Sequence, residues 1–273
     1  MMDLSRYTIV TDLDETLLYQ REMLPQNTAA IKSFVARGGR FTIATGRNHQ
    51  SVLVSMPHVA ELVNAPAILC NGVYLYDFEK RACLAEECLS PEQAQALLLF
   101  VKAYFPHVPY RVSTFSGFRC ERAEGYLQSD VAAYGLDAVE ISPASTWPSE
   151  DWYKIVFRDE DEVLARVRAL FEEKMGESGI VAFASGKRFL ELQSAHCNKG
   201  TGLARLRNLA DCGDTVIACG DYENDLEMLR AADVAICPAN ATDEVKHVAD
   251  HVLCHCKEGL LAAVVKMIEE GRI

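Results

Sequence analysis

Apolar positions along this chain follow two rhythms, and the change between them predicts how it is organised. An apolar run from Tyr7 to Val10 makes Tyr7 to Asp12 read as a strand buried on both faces. Thr28 to Arg37 has helical spacing and stops at Gly38-Gly39, which suits a C-terminal cap. Arg40 to Thr45 predicts a second strand and Ala67 to Cys70 a third. Strand, helix and strand in this order predict a parallel sheet with helices packed on it. Near Asn71-Gly72 the rhythm changes. Val73 to Asp77 and Ala82 to Glu86 predict an antiparallel hairpin. Ser90-Pro91-Glu92-Gln93 then opens a helix, with Ser90 as N-cap, Pro91 in the first turn and Gln93 completing a capping box.

Short strands follow at Tyr110 to Ser113, Gly117 to Cys120, Tyr153 to Phe157 and Ile180 to Ala184, with a helix at Asp159 to Lys174 among them. The first rhythm returns with a strand at Phe189 to Gln193 and a helix at Gly200 to Leu209. A strand at Thr215 to Gly220, a helix at Glu223 to Arg230 and a strand at Val234 to Cys237 complete it. The expected fold is α/β: a doubly wound, mainly parallel sheet in two sequence pieces, 1–82 and 193–273, with a smaller α+β module inserted at 83–192.

Composition narrows the function. Of 273 residues, 49% are hydrophobic, enough to bury a full core, and the formal net charge is -12. That charge argues against general nucleic-acid or anionic-membrane binding, which want a basic face. No apolar stretch approaches membrane-spanning length, and Met-Met-Asp-Leu-Ser-Arg lacks the layout of a signal peptide, so a cytoplasmic enzyme is expected. The ten cysteines are scattered with no Cys-x-x-Cys pair, as expected for reduced thiols. One denser segment, His251-Val252-Leu253-Cys254-His255-Cys256, carries soft-metal donors but lacks a second ligand pair elsewhere.

The strand ends carry the chemistry. Asp12-Leu13-Asp14-Glu15-Thr16 places two carboxylates where a buried strand should finish. Burying an unpaired charge costs several kcal/mol, as an order of magnitude, so a nearby cation or reacting group is implied. Thr45-Gly46-Arg47 ends the next strand with a hydroxyl and backbone amides suited to a phosphate oxygen. Asn198-Lys199-Gly200 puts a lysine in the first turn of a helix, where the dipole disfavours it; it is either aimed at an anion or simply solvated. Gly220-Asp221-Tyr222-Glu223-Asn224-Asp225 follows another strand, and its acids can turn toward one hard cation. Asp225 can equally serve as a helix-dipole partner.

Taken together and in this order, the four segments resemble the motifs of haloacid-dehalogenase-superfamily phosphatases of the Cof type. The resemblance covers nearly the whole chain, including a cap inserted between the second and third motifs. Asn71-Gly72, Asn240-Ala241, Val245-Lys246 and Ala249-Asp250 resemble smaller features of that family. Glu15 departs from it, since these phosphatases often carry glycine there, as does Cys237-Pro238-Ala239, where a Met-Gly pair is common.

The resemblance implies a Mg2+-dependent phosphomonoester hydrolase acting on a phosphorylated small molecule through an aspartyl-phosphate. Asp12 would be nucleophile and metal ligand. Asp14 would be general acid and base, with its backbone carbonyl on the metal, and Asp221 a direct ligand. Thr45, Gly46 and Lys199 would hold the phosphoryl group, supported by Asn224 and Asp225. Asp14 separates this reading from the family's ATP-driven pumps, which have threonine there. A phosphomutase, or a non-catalytic sensor of phosphate ligands, stays open. Arg47 and Asn71 in the core and Arg111, Ser116 and Arg119 in the cap are candidate substrate contacts, and Arg47 can equally form a surface ion pair.

Overall fold

A computed structural model describes residues 3–134 and 139–273. In chain order the elements are β1 (Tyr7–Thr11), β2 (Leu18–Tyr19), β3 (Glu22–Met23), α1 (Pro25–Ala36), β4 (Arg40–Ile43), α2 (His49–Ser55), β5 (Ala67–Leu69), β6 (Tyr74–Asp77) and β7 (Ala82–Glu86). Then come α3 (Pro91–Tyr104), β8 (Tyr110–Thr114), β9 (Gly117–Cys120), α4 (Leu127–Tyr134), β10 (Val139–Ile141), β11 (Lys154–Phe157), α5 (Asp161–Met175), β12 (Ile180–Gly186) and β13 (Phe189–Ser194). The chain closes with α6 (Lys199–Leu209), β14 (Thr215–Cys219), α7 (Leu226–Ala231), β15 (Val234–Cys237), α8 (Asp243–Val248), β16 (His251–Val252) and α9 (Leu260–Glu269).

Two compact units result: Met1–Glu86 with Asn198–Ile273, and Glu87–Cys197. The junctions fall where strand pairing demands. β7 pairs with β6, so residues 83–86 stay with the first unit. β13 pairs with both β11 and β12, so residues 193–194 stay with the second.

The first unit is built on a parallel sheet of order β16-β15-β14-β1-β4. Every residue of β1, including Thr8 and Thr11, is buried, as in a strand covered on both faces. From β1 the chain moves outward to β4, whereas β14, on the other side of β1, leads away through β15 to β16. The winding therefore reverses between β1 and β14, and the crevice outside the carboxyl ends of such strands is where open α/β sheets place ligands. A single parallel bridge, Ala44 with Ile68, leads on to β5, which turns back through the antiparallel strands β6 and β7.

Helices cover the sheet. Leu203 and Leu206 of α6 and Met228 and Leu229 of α7 pack with Val10, Val216 and Ala218. α9 lies against α1 and buries Leu260, Leu261, Val264, Val265 and Ile268. At about 1.5–3 kcal/mol per fully buried large apolar side chain, this is a substantial share of the unit's cohesion. Helix α1 starts three residues before the expected Thr28, because Pro25 occupies the first turn, where its missing N–H is not needed.

In the second unit a six-stranded sheet, β10-β9-β8-β11-β13-β12, is antiparallel except for the β9–β10 pair. Its residues alternate, with Val156 as an apolar exception on β11. Val112, Ile155, Phe157, Leu190 and Leu192 join Leu97, Phe100, Val101, Leu164, Val167 and Phe171 of α3 and α5 in one core. The intervening positions Arg111, Ser113, Lys154, Glu191 and Gln193 are polar. Helix α3 begins with the expected capping box: Ser90 accepts from the Gln93 amide and the Gln93 side chain accepts from the Ser90 amide.

Candidate active site

Asp12 stands one residue beyond β1. Its amide donates to the Cys219 carbonyl at 2.8 Å, so the β1–β14 ladder continues through the residue and fixes it. Asp221 stands just beyond β14 on the other side of the switch point. Both are buried. Beside Asp12 lies Lys199, wholly inaccessible, whose Nζ donates to Asp12 Oδ1 at 2.6 Å and Asp225 Oδ1 at 2.5 Å. Lys199 is the first residue of α6, behind an Asn198 capping box with Thr201. A cation there opposes the helix dipole, and the two carboxylates offset that cost.

Asp225 does more than meet Lys199. Its Oδ2 accepts from the backbone amides of Asp221 at 2.9 Å and Tyr222 at 3.2 Å, so it ties together the loop that carries Asp221. The expected helix from Glu223 is accordingly a 3-10 turn, Glu223–Asp225, before α7 begins. Thr16 donates its hydroxyl to Asp221 Oδ1 at 2.7 Å. Thr16 lies inside the acidic N-terminal segment, and the sequence reading assigned it no role.

Among the described residues, carboxylate oxygens of Asp12, Asp221 and Asp225 lie within 4.8 Å of one another. Three buried carboxylates facing one ammonium leave the pocket short of positive charge. The donors are hard oxygens, the set that suits a small divalent cation such as Mg2+. Burial pushes the Asp12 carboxyl up to about 7, with Asp225 and Asp14 adding to the rise and Lys199 opposing it. Burial likewise pushes Asp221 up to about 8, with Asp12 and Asp225 adding and the Thr16 hydrogen bond opposing. For Lys199, burial works against the charge, but Asp12 and Asp225 overcome it and hold the ammonium above its ordinary value.

These shifts make the metal-free protein sensitive to pH. Both carboxyls bind protons more tightly folded than unfolded. Their stabilising contribution is complete below pH 4 and is lost as pH rises through about 7 and 8. In chelator the melting temperature is expected to fall between pH 6 and 9. Added Mg2+, which prefers the ionised carboxylates, is expected to stabilise more at pH 8 than at pH 6. Melting curves across that range check this, and a flat profile in chelator would contradict it.

Asp14 points elsewhere. Arg47 grips its carboxylate with two parallel hydrogen bonds, Nε to Oδ2 at 2.8 Å and Nη2 to Oδ1 at 2.6 Å, and Arg47 Nη1 also donates to Ser55. Glu15 follows with a left-handed φ of 60°, the region that favours glycine. Asn240 clamps this turn: its Nδ2 donates to the Glu15 carbonyl at 2.8 Å, and its Oδ1 accepts from the Cys256 amide at 2.9 Å. The Asn240-Ala241 pair was visible in the sequence, but this bridge is a long-range contact with no local signature.

Thr45 follows β4, beside β1, with its amide on the Ile68 carbonyl and its Oγ1 accepting from the Arg47 amide at 3.2 Å. Gly46 is pressed against Asn71: a Cβ there would lie 3.1 Å from Asn71 Nδ2. Asn71 Oδ1 accepts from Asn224 Nδ2 at 3.1 Å.

The remaining candidates are held by other partners. In the second unit Arg111 is buried in an ion pair with Asp130 at 3.1 Å, and its guanidinium lies over the Phe118 ring. Arg119 makes paired 2.7 Å bonds to Asp151 and one of 2.8 Å to Glu140. Ser116 sits 3.5 Å from the Thr114 hydroxyl. In the His251–Cys256 segment, His255 caps the following 3-10 turn, and the Cys256 thiol donates to Glu15 Oε2 at 3.8 Å. Burial and Glu15 push that thiol up to about 12.

Residues 9–265 match the family model of haloacid dehalogenase-like hydrolases. The chain is 24% identical to a pyridoxal phosphate phosphatase of Escherichia coli, covering 90% of this chain and 92% of the relative. It is 25% identical to a 5-amino-6-(5-phospho-D-ribitylamino)uracil phosphatase of Bacillus subtilis, covering 97% and 98%. Among solved structures, a putative HAD/COF-like hydrolase from Plasmodium vivax superposes with a TM-score of 0.85 at 20% identity, covering 98% of this chain and 96% of that one. No helix among the described residues is long and apolar enough to cross a membrane. With Asp12, Asp221 and a buried lysine gathered at the ends of parallel strands, this chain belongs to the haloacid dehalogenase-like hydrolase family and is a phosphatase.

Proposed function

We propose that this protein hydrolyses small phosphomonoesters with Mg2+ through an aspartyl-phosphate on Asp12. The observation that carries this reading is the buried constellation of Asp12, Asp221 and Asp225 around Lys199 at the switch point of the sheet. Asp12, Asp221 and the Asp14 backbone carbonyl would hold the metal, and Asp225 would support them. The bound cation supplies charge neutralisation that lets an anionic nucleophile approach an anionic phosphate.

An Asp12 carboxylate oxygen attacks phosphorus, and the bond from phosphorus to the leaving oxygen breaks. Asp14 gives that oxygen its proton. Asp14, now a carboxylate, takes a proton from water. The resulting hydroxide attacks phosphorus, breaking the bond to Asp12 and releasing inorganic phosphate. Lys199 and Thr45 hold the non-bridging oxygens, so most of the acceleration comes from positioning and charge. Arg47 keeps Asp14 turned outward, and Asp14 must leave that grip to reach the leaving oxygen. The inserted unit sets specificity in this reading. Because Arg111 and Arg119 are occupied by their own acids, they act there as structural cations.

The relatives named for pyridoxal phosphate and for a phosphoribitylamino-uracil support a small phosphorylated metabolite as the substrate class. The test is phosphate release from p-nitrophenyl phosphate and a panel of metabolite phosphates, with Mg2+ and with chelator. Acid quenching of a labelled substrate should trap phosphate on the protein. Mg2+-dependent release with a trapped phosphoprotein is expected. Tight binding of phosphoesters without release across the panel would mark a sensor instead. Turnover that needs a bisphosphorylated activator and returns phosphate to the sugar would mark a mutase.

A further inference from the structure

The turn between β5 and β6 is built at a conformational cost that a simple strand reversal does not need. Cys70, Asn71 and Gly72 have successive φ values of 49°, 55° and 89°, three left-handed residues in a row, of which only the last is glycine. Such residues persist where the surrounding structure over-determines them. Here it does. The Cys70 amide donates to the Arg47 carbonyl and the Asn71 amide to the Thr45 carbonyl, both at 3.0 Å. Arg205 donates to the Gly72 carbonyl at 3.2 Å. Gly72 touches the peptide before Lys199 so closely that a Cβ would lie 2.0 Å from the Asn198 carbonyl oxygen. The Asn71 side chain, 1% exposed, meets Gly46 on one side and accepts from Asn224 on the other. One short turn thus touches the loop of Thr45, the start of the Lys199 helix and the loop of Asp221 and Asp225.

We infer that Asn71 is a positioning residue: its backbone amide holds the Thr45 carbonyl while its side chain packs on Gly46 and accepts from Asn224, so the side chain extends the Thr45–Gly46 loop's hold to the Asn224–Asp225 loop and keeps the groups on both at one separation. The sequence suggested a substrate contact for Asn71. The structure points instead to a tie between two loops that each carry a reacting or binding group. Asparagine suits the role twice over, since it tolerates the left-handed conformation and offers an acceptor to Asn224. This inference rests on the proposed phosphatase reading, because it concerns the spacing of that site.

Asn71→Gly is the decisive variant, since glycine keeps the left-handed turn and removes only the tie. It is measured beside Asn224→Ala, the double variant and Asn71→Asp, which still offers Asn224 an acceptor. The readouts are kcat and KM for p-nitrophenyl phosphate, and the thermal shift caused by inorganic phosphate with Mg2+. We expect Asn71→Gly to lose about tenfold to a hundredfold in kcat, the scale of a misplaced group. Its unliganded melting temperature should change little, and its phosphate-induced shift should shrink. Asn224→Ala should behave alike, and the double variant should be no worse than the poorer single one, because both break the same link. Asn71→Asp should recover kcat relative to Asn71→Gly.

Wild-type kcat and phosphate shift in Asn71→Gly would overturn the inference, as would losses that multiply in the double variant. If Asn71→Gly does not fold, Asn224→Ala and Asn71→Asp read the same link. A kcat in Asn224→Ala equal to wild type then overturns it. A wild-type protein without Mg2+-dependent turnover would instead overturn the phosphatase reading. The phosphate shift in wild type and Asn71→Gly would still decide whether the tie orders a phosphate site.

Discussion

Asp12→Asn is expected to lower phosphate release by on the order of 10⁶-fold, the scale seen when a covalent nucleophile is removed, while the metal-free variant melts higher than wild type. The two effects have one cause. Asp12 is buried beside Asp221 and Asp225 with a single ammonium among them, and this crowding pushes its own carboxyl up to about 7. A neutral amide of the same shape removes one of three competing charges and can still accept from Lys199. At pH 8 in chelator the gain should be a few degrees, since about 1 kcal/mol moves the melting temperature of a chain this size by roughly 2–4 °C. With an Asp12 carboxylate oxygen gone, Mg2+ should stabilise the variant less than wild type. The measurements are initial rates with Mg2+ and paired melting curves with Mg2+ and with chelator. A variant that loses activity but melts lower than wild type in chelator would show that Asp12 serves the fold and that the acids do not compete.

This conflict between site and stability also explains how much could be read in the sequence. Asp12 and Asp221 were legible because an acid at the end of an apolar strand is costly, and strand ends are recognised by local pattern. Lys199 was legible for a related reason: a lysine opening a helix goes against the dipole. Ser90-Pro91-Glu92-Gln93 and the hairpin after Asn71-Gly72 were legible because caps and turns are written in neighbouring residues. What remained hidden depends on distant partners. The Asn240 clamp spans from Glu15 to Cys256, and Thr16 reaches Asp221, 205 residues away in sequence. The ion pairs of Arg111 and Arg119 are equally non-local, so nothing near either arginine announced that its charge was already spoken for. Helix α9 escaped for a different reason. Leu260 to Ile268 is apolar enough to read as either helix or strand, and its packing on α1 decides.

Lys199→Met should have the largest effect on the fold itself. The side chain is completely buried, and its ammonium contacts Asp12 and Asp225. Methionine fills much of the space but leaves the carboxylates of Asp12, Asp221 and Asp225 with no cation among them. Breaking a buried ion pair by removing one partner costs about 3–5 kcal/mol, or roughly 10 °C in melting temperature for a chain of this size. The loss should depend on pH in a definite direction. At pH 8 in chelator the remaining acids must either stay charged without a partner or take up protons, so the variant is weakest there. At pH 5.5 Asp12 and Asp221, whose values are already raised to about 7 and 8, are protonated in wild type as well, and the gap should narrow. Mg2+ should restore part of the stability at pH 8, because it supplies the missing positive charge. It should not restore turnover, because the phosphoryl group has lost the donor that Lys199 provides. A variant that melts like wild type in chelator at pH 8 would sink this account. It would mean that the lysine is not what offsets the charge of the buried acids, and that the charge balance drawn around Asp12 is wrong.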